Sequence, residues 1–252
     1  MCTLTFIPDR NGYMLAMNRD ERISRGISDP PAVTQHGGIE AVYPRDIEGG
    51  TWIAVSGRGT VFALLNWNDI PVLHNKTRSR GSLIPTLISC VSSHGAHAMF
   101  KHLELQGILP FRLVGIFPDE EEVSEWRWDQ ASLECERFAW RPRQWCSSSL
   151  SDRNASRCRR AAYARDQEEA DAGSIEWLRR LHASHDPGHG PFSTCVHRQD
   201  VQTVSYTEII CTPEEVRCNY LAGSPCQSEG TEHSVSIGRI GRTVACYCSA
   251  SA

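Results

Sequence analysis

Two short apolar runs, Cys2 to Ile7 and Tyr13 to Met17, flank the segment PDRNG, and this spacing constrains the fold more than any other feature of the chain. Asn11 and Gly12 both tolerate positive φ, so the pair predicts a tight antiparallel hairpin at the start of the chain. A second hairpin is expected in GGTWIAVSGRGTVFALLNW, where Thr51 to Ser56 and Thr60 to Asn66 enclose Gly57-Arg58-Gly59. Four strands thus precede any helical pattern. Helical spacing starts in SRGSLIPTLISCVSSHGAHAMFKHLEL, at Leu83, Leu87, Cys90 and Val91, with Pro85 tolerable in the first turns. PFRLVGIF, EVSEWRWD and LECERFAW then read as a three-strand meander, with Trp126 and Trp128 on one face as packing residues. Helices are expected over Asn154 to Ala170 and Ser174 to His182. FSTCVHR, VQTVSYTEIIC and EVRCNYL read as closing strands before a Ser/Gly-rich flexible tail from about residue 228.

Neighbouring strands in this order are joined by hairpins rather than helical crossovers. That favours an α+β arrangement of two antiparallel sheets covered by helices over a doubly wound parallel sheet. The 252 residues suffice for a large core, and a single domain over 1–252 is expected, without internal repeats.

A net charge of −4, with basic and acidic residues interspersed, leaves no electrostatic footprint for nucleic acid or an anionic membrane. MCTLTFIPDRNG lacks the basic start and apolar stretch of a secretory signal, and no segment approaches the roughly 18 apolar residues of a membrane span. A cytoplasmic protein without a membrane span is expected. Its eleven cysteines, an odd number, are then expected as free thiols, with Cys246 and Cys248 in an unstructured tail. His182, His185 and His189 in HASHDPGHG span a helix end and a Pro/Gly loop. That spacing favours a solvated connection over a zinc site, and neither metal nor cofactor is expected.

Cys2 is chemically special. Removal of Met1 would give it an α-amine with a reference pKa of about 7.7–8.0, able to take the thiol proton directly or through water. With Arg10 opposite Tyr13, counting along the hairpin sets Cys2 opposite Glu21 with Arg19 diagonal to it; a slip of one sets it opposite Asp20. Asn66, closing an apolar strand before Trp67, is a candidate amide donor to an oxyanion, or a turn residue ending the strand.

These features together resemble the NRDE family, also called the transport and Golgi organisation protein 2 family, named for the tetrad that stands here as Asn18, Arg19, Asp20 and Glu21. MCTLTFIP, NRDE, EGGTWIAVS, FALLNW, SRG at Ser79 to Gly81, PFRLVGIF and FSTCVHRQDVQTVSYTE carry the likeness in order, from Met1 to about Cys226. The resemblance implies the N-terminal nucleophile hydrolase fold, a four-layer αββα sandwich. In the similar cysteine hydrolases, which cleave amides such as penicillin V and conjugated bile salts, the second-position cysteine attacks. By that likeness the catalytic roles fall on Cys2, Arg19, Asp20 and Asn66, with Asn18, Glu21 and Trp67 beside the substrate.

The sequence departs from those hydrolases in two places. Their mid-chain Thr-Asn-Ser stretch is WCSSSL here, leaving Ser147 or Ser148 to substitute. Their late arginine is missing from VQTVSYTE, with Arg198 as a conceivable replacement. The implied partner is a small-molecule amide or thioester. Animal relatives linked to haem movement, acyl-coenzyme A and lipid metabolism and Golgi organisation imply an alternative, a non-catalytic carrier of a haem-like ligand, although no Cys-Pro or C-x-x-C-H haem signature is present.

Overall fold

Strands β1 (Cys2–Asp9) and β2 (Gly12–Arg22) form the N-terminal hairpin, but two residues out of the counted register: Asp9 pairs with Gly12 and Cys2 with Arg19. The loop is therefore Arg10-Asn11, and neither residue takes a positive φ. Gly12 is required for closeness instead, because a Cβ there would lie 1.9 Å from the carbonyl oxygen of Cys211. A shift of two keeps every side chain on its face. Cys2 thus faces Arg19 directly rather than Glu21.

This computed structural model describes residues 2–26, 28–227 and 230–241. After the hairpin come β3 (Asp29–His36), β4 (Ile39–Arg45), β5 (Ile53–Ser56), β6 (Val61–Asn66), β7 (Phe111–Phe117), β8 (Glu122–Trp128) and β9 (Leu133–Ala139), which lie side by side in chain order as a seven-stranded antiparallel sheet. Helices α1 (Leu83–Leu87) and α2 (Ser93–Phe100) interrupt it between β6 and β7. The chain then returns through β10 (Arg143–Ser147), α3 (Asp152–Asp166), α4 (Ile175–Ala183), β11 (Val201–Cys211), β12 (Glu215–Ala222) and β13 (Thr231–Gly238). These strands complete a six-stranded antiparallel sheet of order β10-β1-β2-β11-β12-β13.

The period-2 alternation of the strands builds the layers. Leu4, Phe6, Leu15 and Met17 of one sheet meet Val55, Val61, Ala63 and Val114 of the other. On the outer side of the seven-stranded sheet, Phe62, Trp126 and Trp128 pack on Leu83, Leu87 and Phe100. On the outer side of the six-stranded sheet, Ala16 and Tyr206 pack on Trp177, Leu178 and Leu181. The result is an α/β/β/α sandwich.

Several elements differ from the sequence reading. Strands β3, β4 and β10 are additional; β3 is an edge strand with a single buried residue, Pro31, so it carries no alternation to detect. FSTCVHR is not a strand and contributes only the bridge His197 to Gln202. Thr231–Gly238 pairs with β12 along its length, where a flexible tail was expected. An edge strand needs a partner on one side only, so a polar sequence such as TEHSVSIG suffices. Cys246 and Cys248 lie outside the described residues, as does Met1. Among the described residues no helix is long and apolar enough to cross a membrane.

Candidate active site

Strand β1 lies between β2 and β10, which sets Cys2 between Arg19 on one side and Ser147 on the other. The Cys2 backbone nitrogen donates to Ser147 Oγ at 3.0 Å. Its side chain is 4% exposed, at the end of the apolar face between the sheets. Arg19 shares that face. Its guanidinium lies 4.3 Å over the Trp52 ring, donates to Asp46 Oδ2 at 2.5 Å and to Ser28 Oγ at 3.2 Å, and stands 3.7 Å from Glu21. A cleft of about 610 Å³, including its open mouth, is lined by Cys2, Arg19, Asp20, Glu21, Asn66 and Arg80 among others.

Burial pushes the Cys2 thiol up and Asp20 adds to this, while the positive amino end of the chain and Arg19 work in the other direction. Arg80 is a second cation beside the thiol. Burial draws its pKa down, against the favourable charges of Cys2 and Glu21, and its Nη1 donates to Pro110 O at 3.1 Å. Burial also disfavours the Asp46 carboxylate, but the Glu48 backbone N–H, Arg25 and Arg19 outweigh it and hold the carboxyl below its ordinary range.

Asp20 lies on the opposite face of β2 and is 1% exposed. Thr203 Oγ1 donates to its Oδ1 at 2.7 Å, and Arg159 Nη2 stands 3.5 Å from its Oδ2. Burial pushes this carboxyl up, opposed chiefly by Arg159. Fully buried Arg159 also donates to Ser193 O (2.9 Å), Thr3 Oγ1 (2.8 Å), Cys2 O (3.3 Å) and Ser147 O (3.4 Å). It therefore ties β1, β10 and Asp20 to one planar group.

Arg159, Arg80, Asp46 and Trp52 were not recognised from the sequence. The signal for Arg159 was its phase: it stands on the buried stripe of α3 between Ala155 and Ala162, unlike its arginine neighbours. For Arg80 the signal lay in its surroundings, EGGT and SRG. A Cβ on Gly50 would lie 2.8 Å from the Gly81 carbonyl carbon, and one on Gly81 would lie 3.1 Å from the Thr51 nitrogen. The two glycines let these loops touch backbone to backbone, with Thr51 N donating to Gly81 O at 3.1 Å, and so bring Arg80 to the cleft.

Of the residues expected at the site, Cys2, Arg19, Asp20, Glu21 and Asn66 line this cleft. Ser147 holds the Cys2 nitrogen without lining it. The other four stand elsewhere. Asn18 is buried on the helix side, where its amide donates to His182 O and Thr194 O, both at 2.9 Å. Trp67 pairs through its backbone N–H with Pro110 O. Ser148 N donates to Asp152 Oδ1, at the start of α3. Arg198 reaches Ser149 and Asp200 instead, and the arginines buried near Cys2 are Arg19 and Arg159. Nor is HASHDPGHG a uniformly solvated connection. His182 is buried between Asn18 Oδ1 and Thr5 Oγ1, its pKa drawn down to about 3 by burial and by Arg159. His185 stacks on His189 at 3.8 Å and joins Cys195, His197 and Cys226 in a cluster.

The fold is shared with two solved hydrolases. The penicillin V acylase from Agrobacterium tumefaciens superposes with a TM-score of 0.52 at 10% identity, covering 88% of this chain and 83% of that one. A mutant conjugated bile acid hydrolase from Clostridium perfringens superposes with a TM-score of 0.53 at 9% identity, covering 94% and 92%. No curated protein sequence matches the chain. The family described as Transport and Golgi organisation 2 matches residues 1–132, the hairpin and most of the seven-stranded sheet, and the chain belongs to that family.

Proposed function

We propose that the protein is an N-terminal nucleophile hydrolase or acyltransferase, acting on an amide or thioester of a small molecule once Met1 has been removed. The observation that carries this reading is Cys2 lining a cleft, set between Arg19 and Ser147, with its nitrogen already hydrogen-bonded. In the processed chain that nitrogen is an α-amine, and Ser147 Oγ holds it beside its own thiol. The amine takes the thiol proton, and Arg19 and Arg80 favour the thiolate against the cost of burial. The sulfur attacks the carbonyl carbon to form a tetrahedral oxyanion, for which Asn66 is the candidate side-chain donor. Collapse breaks the bond to the leaving amine or thiol, which receives the proton from the α-ammonium. Water, or an acceptor amine, then attacks the thioester and frees Cys2. Arg159 has a positioning role through the Cys2 carbonyl and Asp20.

The test is intact-mass analysis of the native protein before and after a panel of β-lactam, acyl-homoserine and acyl-thioester probes. The expected result is loss of Met1 and a stable or turning-over adduct on Cys2, absent in Cys2→Ala. Retention of Met1 would defeat the reading, since the amine would no longer belong to Cys2. One observation favours the carrier alternative: burial pushes the Cys2 thiol up, which weakens it as a nucleophile at neutral pH. Titration with haem, followed in the Soret band, separates the two, because a carrier binds equally in Cys2→Ala and turns over no acyl donor.

A further inference from the structure

Four side chains from three separate segments converge on the far side of Asp20. His185 follows α4, Cys195 and His197 precede β11, and Cys226 lies in the turn after β12. Their ligand atoms all lie within 4.8 Å of one another. We propose that these four residues form a structural zinc site, distinct from the Cys2 cleft.

Three of the ligand-to-ligand distances are already close to the edges of a tetrahedron. Around Zn²⁺, with Zn–S about 2.3 Å and Zn–N about 2.0–2.1 Å, the ligand-to-ligand edges are about 3.8 Å for S to S and about 3.5 Å for S to N. Cys195 Sγ and Cys226 Sγ are 3.5 Å apart, Cys195 Sγ lies 3.6 Å from His197 Nε2, and His197 Nε2 lies 3.1 Å from Cys226 Sγ. Thiols are weak hydrogen-bond partners, so three such contacts within one cluster do little on their own account. His185 also carries a buried Nε2 without a hydrogen-bond partner among the described residues.

Two thiolates and two neutral imidazoles are the donor set of closed structural zinc sites, and they cancel the ion's charge. Binding forms two Zn–S and two Zn–N bonds and releases the two thiol protons to solvent. Four protein ligands leave no open position, so the ion fastens segments rather than activating water. Val196, between the two ligands Cys195 and His197, donates its backbone N–H to Thr203 Oγ1 at 2.8 Å, and that hydroxyl donates to Asp20. The ion would therefore steady one wall of the Asp20 environment. His189 stacks on His185 but is exposed and lies outside the four.

The sequence grouped His185 only with His182 and His189, and so did not point to this site. Here Cys195-Val196-His197 supplies two ligands within a bridge, and the other two arrive from either side.

The test uses the full chain purified without metal-affinity steps and dialysed without added metal. Inductively coupled plasma mass spectrometry is expected to find about one zinc per chain. After chelation, cobalt(II) is expected to restore the site with strong visible bands of tetrahedral coordination and a thiolate-to-cobalt charge-transfer band. Cys195→Ser and His197→Ala are expected to weaken cobalt binding at least about tenfold, the lower end of what even outer-shell changes cause. Cys2→Ser and His189→Ala should retain the ion, and the Cys2→Ser result makes the outcome independent of the proposed nucleophile. Should the ligand variants fail to fold, the cobalt spectrum of the unmutated chain decides alone. Weak octahedral bands, or a Cys195–Cys226 disulfide in a non-reduced peptide map of the protein as purified, before any chelation, would overturn the proposal.

Discussion

Replacing Arg159 with methionine tests how β1 is held. Methionine follows the aliphatic stem but removes the cation and its donors, leaving Asp20 buried without that charge and the carbonyls of Cys2, Ser147 and Ser193 short of a donor. Removing one partner of a buried pair costs about 3–5 kcal/mol. The contact to Asp20 is long, at 3.5 Å, but both side chains are fully buried and the remaining bonds are shorter, so a loss in that range is expected near neutral pH. The loss should depend on pH in a definite direction. Burial already raises the Asp20 carboxyl, and Arg159 is the main influence opposing that rise. In Arg159→Met the folded-state pKa climbs further, so the folded chain binds a proton that the unfolded chain has released. Stability then falls as pH rises from about 4, the unfolded value, through the folded one. The gap to the unmutated protein is thus smaller near pH 4 than near pH 7. Urea unfolding followed by tryptophan fluorescence at both values measures it, with an unchanged m-value as the control. Adding Asp20→Asn to Arg159→Met should recover part of the loss. A cost below about 1 kcal/mol near pH 7, or a gap indifferent to pH, would refute the account.

Arg80→Gln removes a cation beside the thiol, so alkylation of Cys2 by iodoacetamide, followed by mass spectrometry across pH, should shift to higher pH. Gly81→Ala places a Cβ 3.1 Å from the Thr51 nitrogen and 3.2 Å from the Gly50 Cα, and should lower stability by about 1–3 kcal/mol in urea unfolding while slowing any Cys2 labelling. Burial opposes ionisation of Glu125, but Arg112 (2.5 Å) and Arg127 (2.8 Å) hold its carboxyl below the ordinary range. Its contribution is present above the unfolded pKa of about 4.3 and is lost as pH falls through the lower folded value, so Glu125→Gln should flatten the acid limb of the stability profile.

The alternating runs and turn residues made most strands legible, and the order of strands and helices was enough for two antiparallel sheets. Register was not. Asn11-Gly12 is a strong turn signal, yet Gly12 serves the approach of Cys211, and the loop moved back by one residue at each end. Cys2, Arg19, Asp20, Glu21 and Asn66 were legible as a group because the hairpin fixes four of them and a strand end fixes the fifth. Arg159 and the cluster of His185, Cys195, His197 and Cys226 were not, because their neighbours come from distant segments that no local spacing connects. WCSSSL illustrates the division: its serines were expected near Cys2, but only the register of β10 on β1 selects Ser147 over Ser148.

The sheet order carries a consequence for biosynthesis. β1 cannot acquire its outer neighbour β10 until more than half of the chain has been translated, nor Asp20 its Thr203 until about four-fifths has. At roughly 5–20 residues per second, the interval between Asp20 and Thr203 leaving the ribosome is on the order of ten to forty seconds. For much of that time Cys2 lacks the strand that flanks it on its outer side; once β10 has docked, the Cys2 backbone nitrogen is bonded to Ser147 Oγ.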